Sequence, residues 1–448
     1  MISKGPTVIE VKQLFNVHPQ QAWIDLVLKY GKNFWYRGTL LTCDPKLVET
    51  LLTEKKHTQK RSLLYTKAKA LPGADGILFQ EGDRWQQSAR IVMPVFSKDN
   101  INRFPKLIEQ ITLTYAAKWE TADKLEDLFA ALMELGADIF LEIGCNLDPK
   151  EETTHKLSQA LIGYKAQTMS SNSKTRLDEL GLDATKLLDI LPFIRWLFEL
   201  RGRVSDLRKL VQSILKKRES VPVIETDWLN NLQKSGLSLN EITNHINHLY
   251  GAFNAIDFSL TCAFYVLSHQ PDWIKRLRSE FDLVMEENAC PTRVGAASPK
   301  ETRFPSLVQT TYFMREVFRM YPVAMAVMRQ TGEAIELDGE VIPAGTEVMI
   351  LLYALHHHPD FWENPETFDP DRWTNLQSPR VPYSYIPFLD GPRQCLGRHW
   401  AELNFVTILH TLLQHYEIEI LKPTVPITRF LIPRFAEAMP CRISKRYE

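Results

Sequence analysis

Six cysteines are few for 448 residues, and Cys43, Cys145, Cys262, Cys290, Cys395 and Cys441 lie far apart without a single CxxC pair. That excludes a small disulfide-stapled scaffold and an iron–sulfur cysteine cluster, and it predicts reduced thiols in a cytoplasmic compartment. Net charge is missing as well. With 53 Lys and Arg against 54 Asp and Glu, the formal charge of −1 offers nothing that would hold nucleic acid. The N-terminal stretch MISKGPTVIEVKQLF lacks the apolar core of a signal peptide, and no run of 18 or more apolar residues occurs, so no stable membrane anchor is expected. Internal repeats, low-complexity tracts and linker compositions are absent too, which predicts one domain spanning 1–448. What is present is 44% hydrophobic and 24% charged residues, enough to bury a large core.

Helical periodicity dominates, as in 123–145 (DKLEDLFAALMELGADIFLEIGC) and 241–269 (EITNHINHLYGAFNAIDFSLTCAFYVLSH). Strand-like pieces are short: 38–43, 334–353 with Asp338-Gly339 at its turn, and the tail 435–447. The fold class is therefore mainly α with a small β region. Pro and Gly gather in 359–397, an irregular stretch far longer than an ordinary connection, and such stretches are usually functional.

That stretch closes on FLDGPRQCLG, residues 388–397, a specific frame around one thiol. A cysteine taken at random is most often a small buried apolar residue. Here the sequence after it, LGRHWAELNFVTILHTLLQHY, is helix-periodic, so the sulfur of Cys395 stands at a helix N-terminus, where dipole and free N–H groups favour a thiolate. Gly391 and Gly397 remove side chains on either side of it, leaving room for something flat and wide. Arg393 adds a positive charge suited to a carboxylate.

These ten residues match the signature FxxGxRxCxG of the cytochrome P-450 superfamily at every fixed position, and Ala401 and Glu402 continue it. Five such matches arise by chance on the order of once in ten thousand chains. The resemblance implies the P-450 fold, a triangular helical domain enclosing heme b, with Cys395 as the axial thiolate of the iron. It places Phe388 beside the sulfur and pairs Arg393 with a heme propionate. In MREVFRMYP, Glu316 and Arg319 resemble the family's ExxR pair, and Arg372 in PDRW resembles the arginine that completes its network. Spaced i,i+3 on a helix, the first two can touch. Arg329, in YPVAMAVMRQ, stands where the family has a second propionate-binding arginine, and Val323 and Ala324 lie in its substrate-side segment. GDRWQQSAR (82–90) resembles the family's WxxxR helix, which carries over Trp85; the fourth residue after it is Ala89, and the arginine is displaced to Arg90.

The main departure lies in 241–269. Family members have (A/G)Gx(D/E)T there, an acid and a threonine that relay protons for oxygen activation; this chain has Gly251, Ala252, Phe253, Asn254 and Ala255. The small residues needed beside a flat heme remain, while both proton carriers are gone. Asp257 and Ser259 are the nearest substitutes, although a residue two beyond Ala255 points sideways on a helix, so an ordered water held by Asn254 or a substrate hydroxyl is the better proton source.

The resemblance implies a monooxygenase inserting one atom of O2 into a mainly apolar small molecule. The alternative is a heme-thiolate enzyme that rearranges, dehydrates or uses a peroxide without external electrons; a non-catalytic heme sensor is a third reading, and the match over nearly the whole chain speaks against it. Without a flavin-binding segment in the sequence, electrons are expected from a separate ferredoxin or flavodoxin-type protein docking near Arg398 and His399, on a chain expected to be a monomer. His356, His357 and His358 are consecutive, cannot all face one metal, and fall where the family has a polar turn. His245 and His248, spaced i,i+3 with no third ligand in view, are expected to line or flank a substrate cavity, His248 with Phe253, Ala255 and residues of 65–80.

Overall fold

The computed structural model describes residues 2–17, 21–54, 62, 65, 69–101, 103–169, 187–219, 227–253, 255–289, 307–374, 381–424, 427–428 and 432–446. Asn254 and Cys290 lie outside them. The chain divides into two compact units, Met1–Leu63 with Pro105–Leu132 and Ala255–Glu448, and Leu64–Phe104 with Met133–Asn254.

The first unit holds every described strand: β1 (Ser3–Lys4), β2 (Asn33–Tyr36), β3 (Thr39–Thr42), β4 (Val327–Gln330), β5 (Ile335–Leu337), β6 (Glu340–Ile342), β7 (Glu347–Ile350), β8 (Tyr416–Ile420), β9 (Ile427–Thr428), β10 (Arg434–Phe435) and β11 (Cys441–Lys445). The main sheet runs β1-β2-β3-β7-β4, with β3 and β7 parallel and Leu40 opposite Val348. Its buried Leu40, Leu41, Val348 and Ile350 share a core with Trp23, Ile24, Leu26 and Val27 of helix Ala22–Tyr30. Each such side chain contributes about 1.5–3 kcal/mol when fully buried. Helix Pro45–Thr53 starts sharply because Asp44 accepts from Lys46 N at 2.9 Å and Leu47 N at 3.4 Å, with proline at the first helical position.

The Asp338-Gly339 turn forms as the sequence predicts. Both residues have positive φ, 50° and 78°, which the tight turn joining β5 to β6 requires. Strands β3, β5, β6, β7 and β11 fall in the predicted segments and β10 overlaps one at Phe435; β1, β2, β4, β8 and β9 were not anticipated. Among its described residues, the stretch 359–397 is irregular apart from short 3-10 turns at Pro370–Thr374 and Gly391–Arg393.

The second unit is helical in its described residues. Glu152–Met169 packs along Leu187–Arg218, and Leu239–Phe253 packs on Leu187–Arg218 and Trp228–Lys234. Its core is aromatic: Phe140, in a π-helical turn (Phe140–Gly144), has its ring centroid 5.5 Å from Trp228, 5.7 Å from Tyr250 and 5.4 Å from Phe253. Asp227 caps Trp228–Lys234 by accepting from Asn230 N at 2.8 Å, and it takes both ends of the Arg218 guanidinium at 2.9 and 3.0 Å.

Candidate heme-thiolate site

Cys395 sits just before helix Arg398–His415, whose N-cap is Gly397. It is the exposed one among the five described cysteines; Cys43, Cys145, Cys262 and Cys441 are buried. The loop returns on itself so that Cys395 N donates to Phe388 O at 2.8 Å, and Gln394 N to Gly391 O at 3.0 Å. Protein packed around the sulfur raises the thiol pKa above its ordinary value, while a backbone hydrogen bond from Gly397 and the charge of Arg398 pull it down. Phe388 meets Phe318 edge-on at 5.5 Å and lies under the Arg398 guanidinium at 5.8 Å.

Gly391 serves a different purpose from the one expected. A Cβ there would come within 2.0 Å of Leu52 O, and the residue has φ +73°. Its bareness lets the loop press onto the backbone at the end of helix Pro45–Thr53, so the space is taken by protein.

Behind the loop, helix Val308–Met320 carries Glu316 and Arg319, both fully buried. Glu316 Oε1 accepts from Arg319 Nη2 at 2.8 Å, Arg372 Nε at 3.0 Å and Asp369 N at 3.0 Å; Oε2 accepts from Arg319 Nε at 3.0 Å and Trp373 Nε1 at 2.9 Å. Five donors on one carboxylate satisfy its charge without water. Arg319 Nη1 in turn donates to His356 O at 2.9 Å and Pro365 O at 2.8 Å, and Arg372 Nη1 donates to Glu363 O at 2.8 Å. The predicted triad is thus assembled, and it pins the irregular stretch by its carbonyls.

The histidine run corrects the expectation of a polar turn. His356, His357 and His358 are all buried. Ile386 N donates to His356 Nε2 at 3.2 Å, so this ring joins the triad's neighbourhood to the start of the cysteine loop. Burial holds the His356 pKa down at about 3, which keeps Nε2 free to accept. His357 stacks on Tyr353 at 3.9 Å with Nδ1 on the Tyr353 carbonyl, and His358 Nδ1 accepts from Asp360 N. Sequence reasoning missed His356 and Trp373 Nε1 because nothing in spacing distinguishes a network donor from a core side chain.

Arg329 is buried on β4 with Nη1 on Met328 O at 2.9 Å; Arg393 is half-buried in the 3-10 turn; Val323 and Ala324 are half-buried between helix Val308–Met320 and β4. Asp257 and Ser259 are buried in helix Ala255–His269, where the Asp257 carbonyl accepts from Thr261 Oγ1 at 2.7 Å. Neither presents a proton at the surface of that helix.

In the second unit, Trp85 is half-buried on helix Gly82–Val92, Ala89 is buried and Arg90 is exposed. The one-residue offset turns the arginine about 100° around the helix. Gly251 and Ala252 are exposed near the end of a helix whose other residues are mostly buried, and among the described residues no neighbouring group beyond its own helix turn lies within 4 Å of where a Gly251 Cβ would be. Phe253 corrects the expectation of a cavity-lining ring: two residues past Gly251 it points to the opposite side, into the aromatic core with Phe140 and Trp228. His245 is buried, with Nε2 3.3 Å from Ser88 Oγ, which donates to Gln80 Oε1 at 2.6 Å; His248 is half-buried.

These residues fit a heme. Among the described residues no group of three or more His, Cys, Asp or Glu could hold a bare metal ion, so a metal on the solitary exposed thiol of Cys395 must bring its other donors with it, as a porphyrin does.

Comparison with known proteins agrees. The chain is 26% identical to human cytochrome P-450 3A5, over 94% of this chain and 86% of that protein. It is 25% identical to cyclooctat-9-en-7-ol 5-monooxygenase of Streptomyces melanosporofaciens, over 84% and 80%, and 24% identical to thromboxane-A synthase of Sus scrofa, over 88% and 81%. The family described as cytochrome P-450 matches residues 5–435. With a mainly helical chain, small sheets and a braced thiolate loop, this protein belongs to the cytochrome P-450 family of oxidoreductases, whose members bind heme b.

Proposed function

We propose that the whole chain, 1–448, acts as a single heme-thiolate domain: a cytoplasmic, monomeric monooxygenase without a membrane anchor. It inserts one atom of O2 into a mainly apolar small molecule. The observation that carries this reading is Cys395, exposed at a helix start in a loop held by a fully satisfied buried brace. Heme on that sulfur supplies the oxygen-activating chemistry. The protein's own part is to aim the Gly397 N–H and the charge of Arg398 at the sulfur, which offset part of the rise that burial imposes on the thiol pKa, and to tie the loop at Phe388 O. Arg393 and Arg329 are the cations suited to the heme's propionates. The stretch 239–269 is apolar enough in composition to cross a membrane, but 71% of that window is buried inside the protein, which supports its reading as a core segment.

Ala255 has no proton to give, and Asp257 and Ser259 are buried. Protons are therefore delivered by water, in which Asn254 takes part, or by a hydroxyl of the substrate. Electrons come from a separate ferredoxin or flavodoxin-type protein that meets the chain at Arg398 and His399. Glu402 already pairs with both, at 3.0 and 3.6 Å, so the partner meets a patch whose positive charge is partly neutralised.

The missing acid and threonine favour a second reading, a peroxide-using or rearranging enzyme, and the likeness to a synthase supports it. Turnover of lipids and terpenoids with a surrogate reductase, NADPH and 18O2, against turnover with hydroperoxide alone, separates the two. Label in the product only under the first condition supports the monooxygenase; conversion only under the second refutes it. Cys395→Ser should abolish both.

A further inference from the structure

We propose that His248 is a substrate-binding residue whose Nε2–H holds an acceptor oxygen, hydroxyl or carbonyl, on an otherwise apolar substrate, an inference that rests on the heme-thiolate reading above. One hydrogen bond fixes the tautomer of the ring. Leu78 N donates to His248 Nδ1 at 3.3 Å, and an amide N–H can only donate. Nδ1 must then carry a lone pair, which leaves the ring neutral with its proton on Nε2.

The ring is also held in place. The α-carbon of Gly76 lies so near that a Cβ there would be 2.6 Å from Nδ1, and Phe79 meets the imidazole edge-on at 5.4 Å. The Asn244 and Asn247 amides donate to Asp75 O at 3.3 Å and Gly73 O at 3.4 Å, and Tyr164 donates to Pro72 O at 2.9 Å. Segment 72–78 is thereby strapped down beside the ring. Burial depresses the imidazole pKa to about 3, so the neutral form persists across the working range.

Nε2 is what the strap leaves over. Among the described residues no group accepts from it, and it is not one of the sealed polar atoms, whereas His245 Nδ1 is. On the same helix face, three and four positions on, come Gly251 and Ala252, both exposed. Leu78, whose backbone holds Nδ1, has its own apolar side chain 52% exposed. One fixed donor beside open apolar space is the arrangement that orients an apolar ligand through a single oxygen.

The test is equilibrium calorimetry on the full, heme-loaded chain with matched probes: limonene and carvone, bornane and camphor, dodecane and 2-dodecanol. His248→Phe keeps a flat ring and loses the donor; His248→Gln keeps a donor. Relative to its hydrocarbon partner, each oxygenated probe that binds should weaken about fivefold in the Phe variant and recover in the Gln variant. Imidazole 15N NMR of the wild type, in its diamagnetic ferrous–CO form, should show the His248 proton on Nε2, a result independent of how either variant folds. Equal changes for both members of every pair, no binding by any oxygenated probe, or a proton on Nδ1 would overturn the proposal. Turnover is not required, so these outcomes are distinct from a wild type that takes up no heme, which would refute the earlier reading itself.

Discussion

Replacing Glu316 by glutamine probes whether the brace behind the cysteine loop is electrostatic or merely packed. The change conserves volume but not acceptors. Oε1 receives three N–H donors and Oε2 receives two, so whichever way the amide turns, its NH2 faces at least two donors that it cannot accept. Arg319 is fully buried and would lose its counter-charge. Removing one partner of a buried pair costs about 3–5 kcal/mol, a factor of more than a hundred in the folded population. Arg195→Ala is the control, since its i,i+4 pair with Glu199 is exposed, lies outside the cysteine loop and is worth about 0.3–0.5 kcal/mol. Urea titration read by tryptophan fluorescence gives the stability, and the ferrous–CO spectrum reports whether the thiolate ligand survives. Glu316→Gln should lower the midpoint strongly and convert part of the population to a form that has lost the thiolate. A stability within about 1 kcal/mol of wild type, with an unchanged spectrum, would show that the five hydrogen bonds do not carry the loop.

Gly391→Ala should destabilise by several kcal/mol, since it meets Leu52 O at 2.0 Å and must hold φ +73°; heme content per chain would fall, and an unchanged content would refute the close approach. Acid should destabilise the protein early. His356 and His410 titrate in the folded chain at about 3 and about 4, held down by burial, against roughly 6.5 unfolded. As pH falls through that window the unfolded chain binds protons that the folded chain refuses, so stability drops by about 1.4 kcal/mol per pH unit for each histidine. That slope is reached only below the unfolded value, so between pH 6.5 and 5 the two together amount to about 3 kcal/mol, and a flat urea midpoint over that range would contradict it. Ala255→Thr, which restores a hydroxyl at the departed position, should lower peroxide leakage per NADPH consumed if O2 is the oxidant, and leave hydroperoxide-driven turnover unaffected.

The cysteine frame and the Glu316–Arg319–Arg372 brace were legible in the sequence because hydrogen-bonding chemistry fixes residue type and order at those positions. The Asp338-Gly339 turn was legible for the same reason, since only a few residues tolerate its backbone. Burial was less so. His356–His358 read as a turn because the resembled family has a polar turn there, yet stacking on Tyr353 and backbone hydrogen bonds at ring nitrogens make these imidazoles acceptable core residues. Phe253 was assigned to the cavity together with Ala255, whereas it lies two residues, about 200° of helix, beyond the exposed Gly251. Gly391 was correctly singled out for the wrong neighbour, because a sequence shows that a side chain is missing and not what fills the space.

The contact of Gly391 with Leu52 and the parallel pairing of β3 with β7, Thr39–Thr42 to Glu347–Ile350, join residues far apart in sequence. The loop-closure cost of such pairings is offset only when both partners are present. The frame around Cys395 therefore depends on a contact of long sequence separation, a slow class of folding step, and is completed only once the segments carrying Leu52 and Gly391 have met.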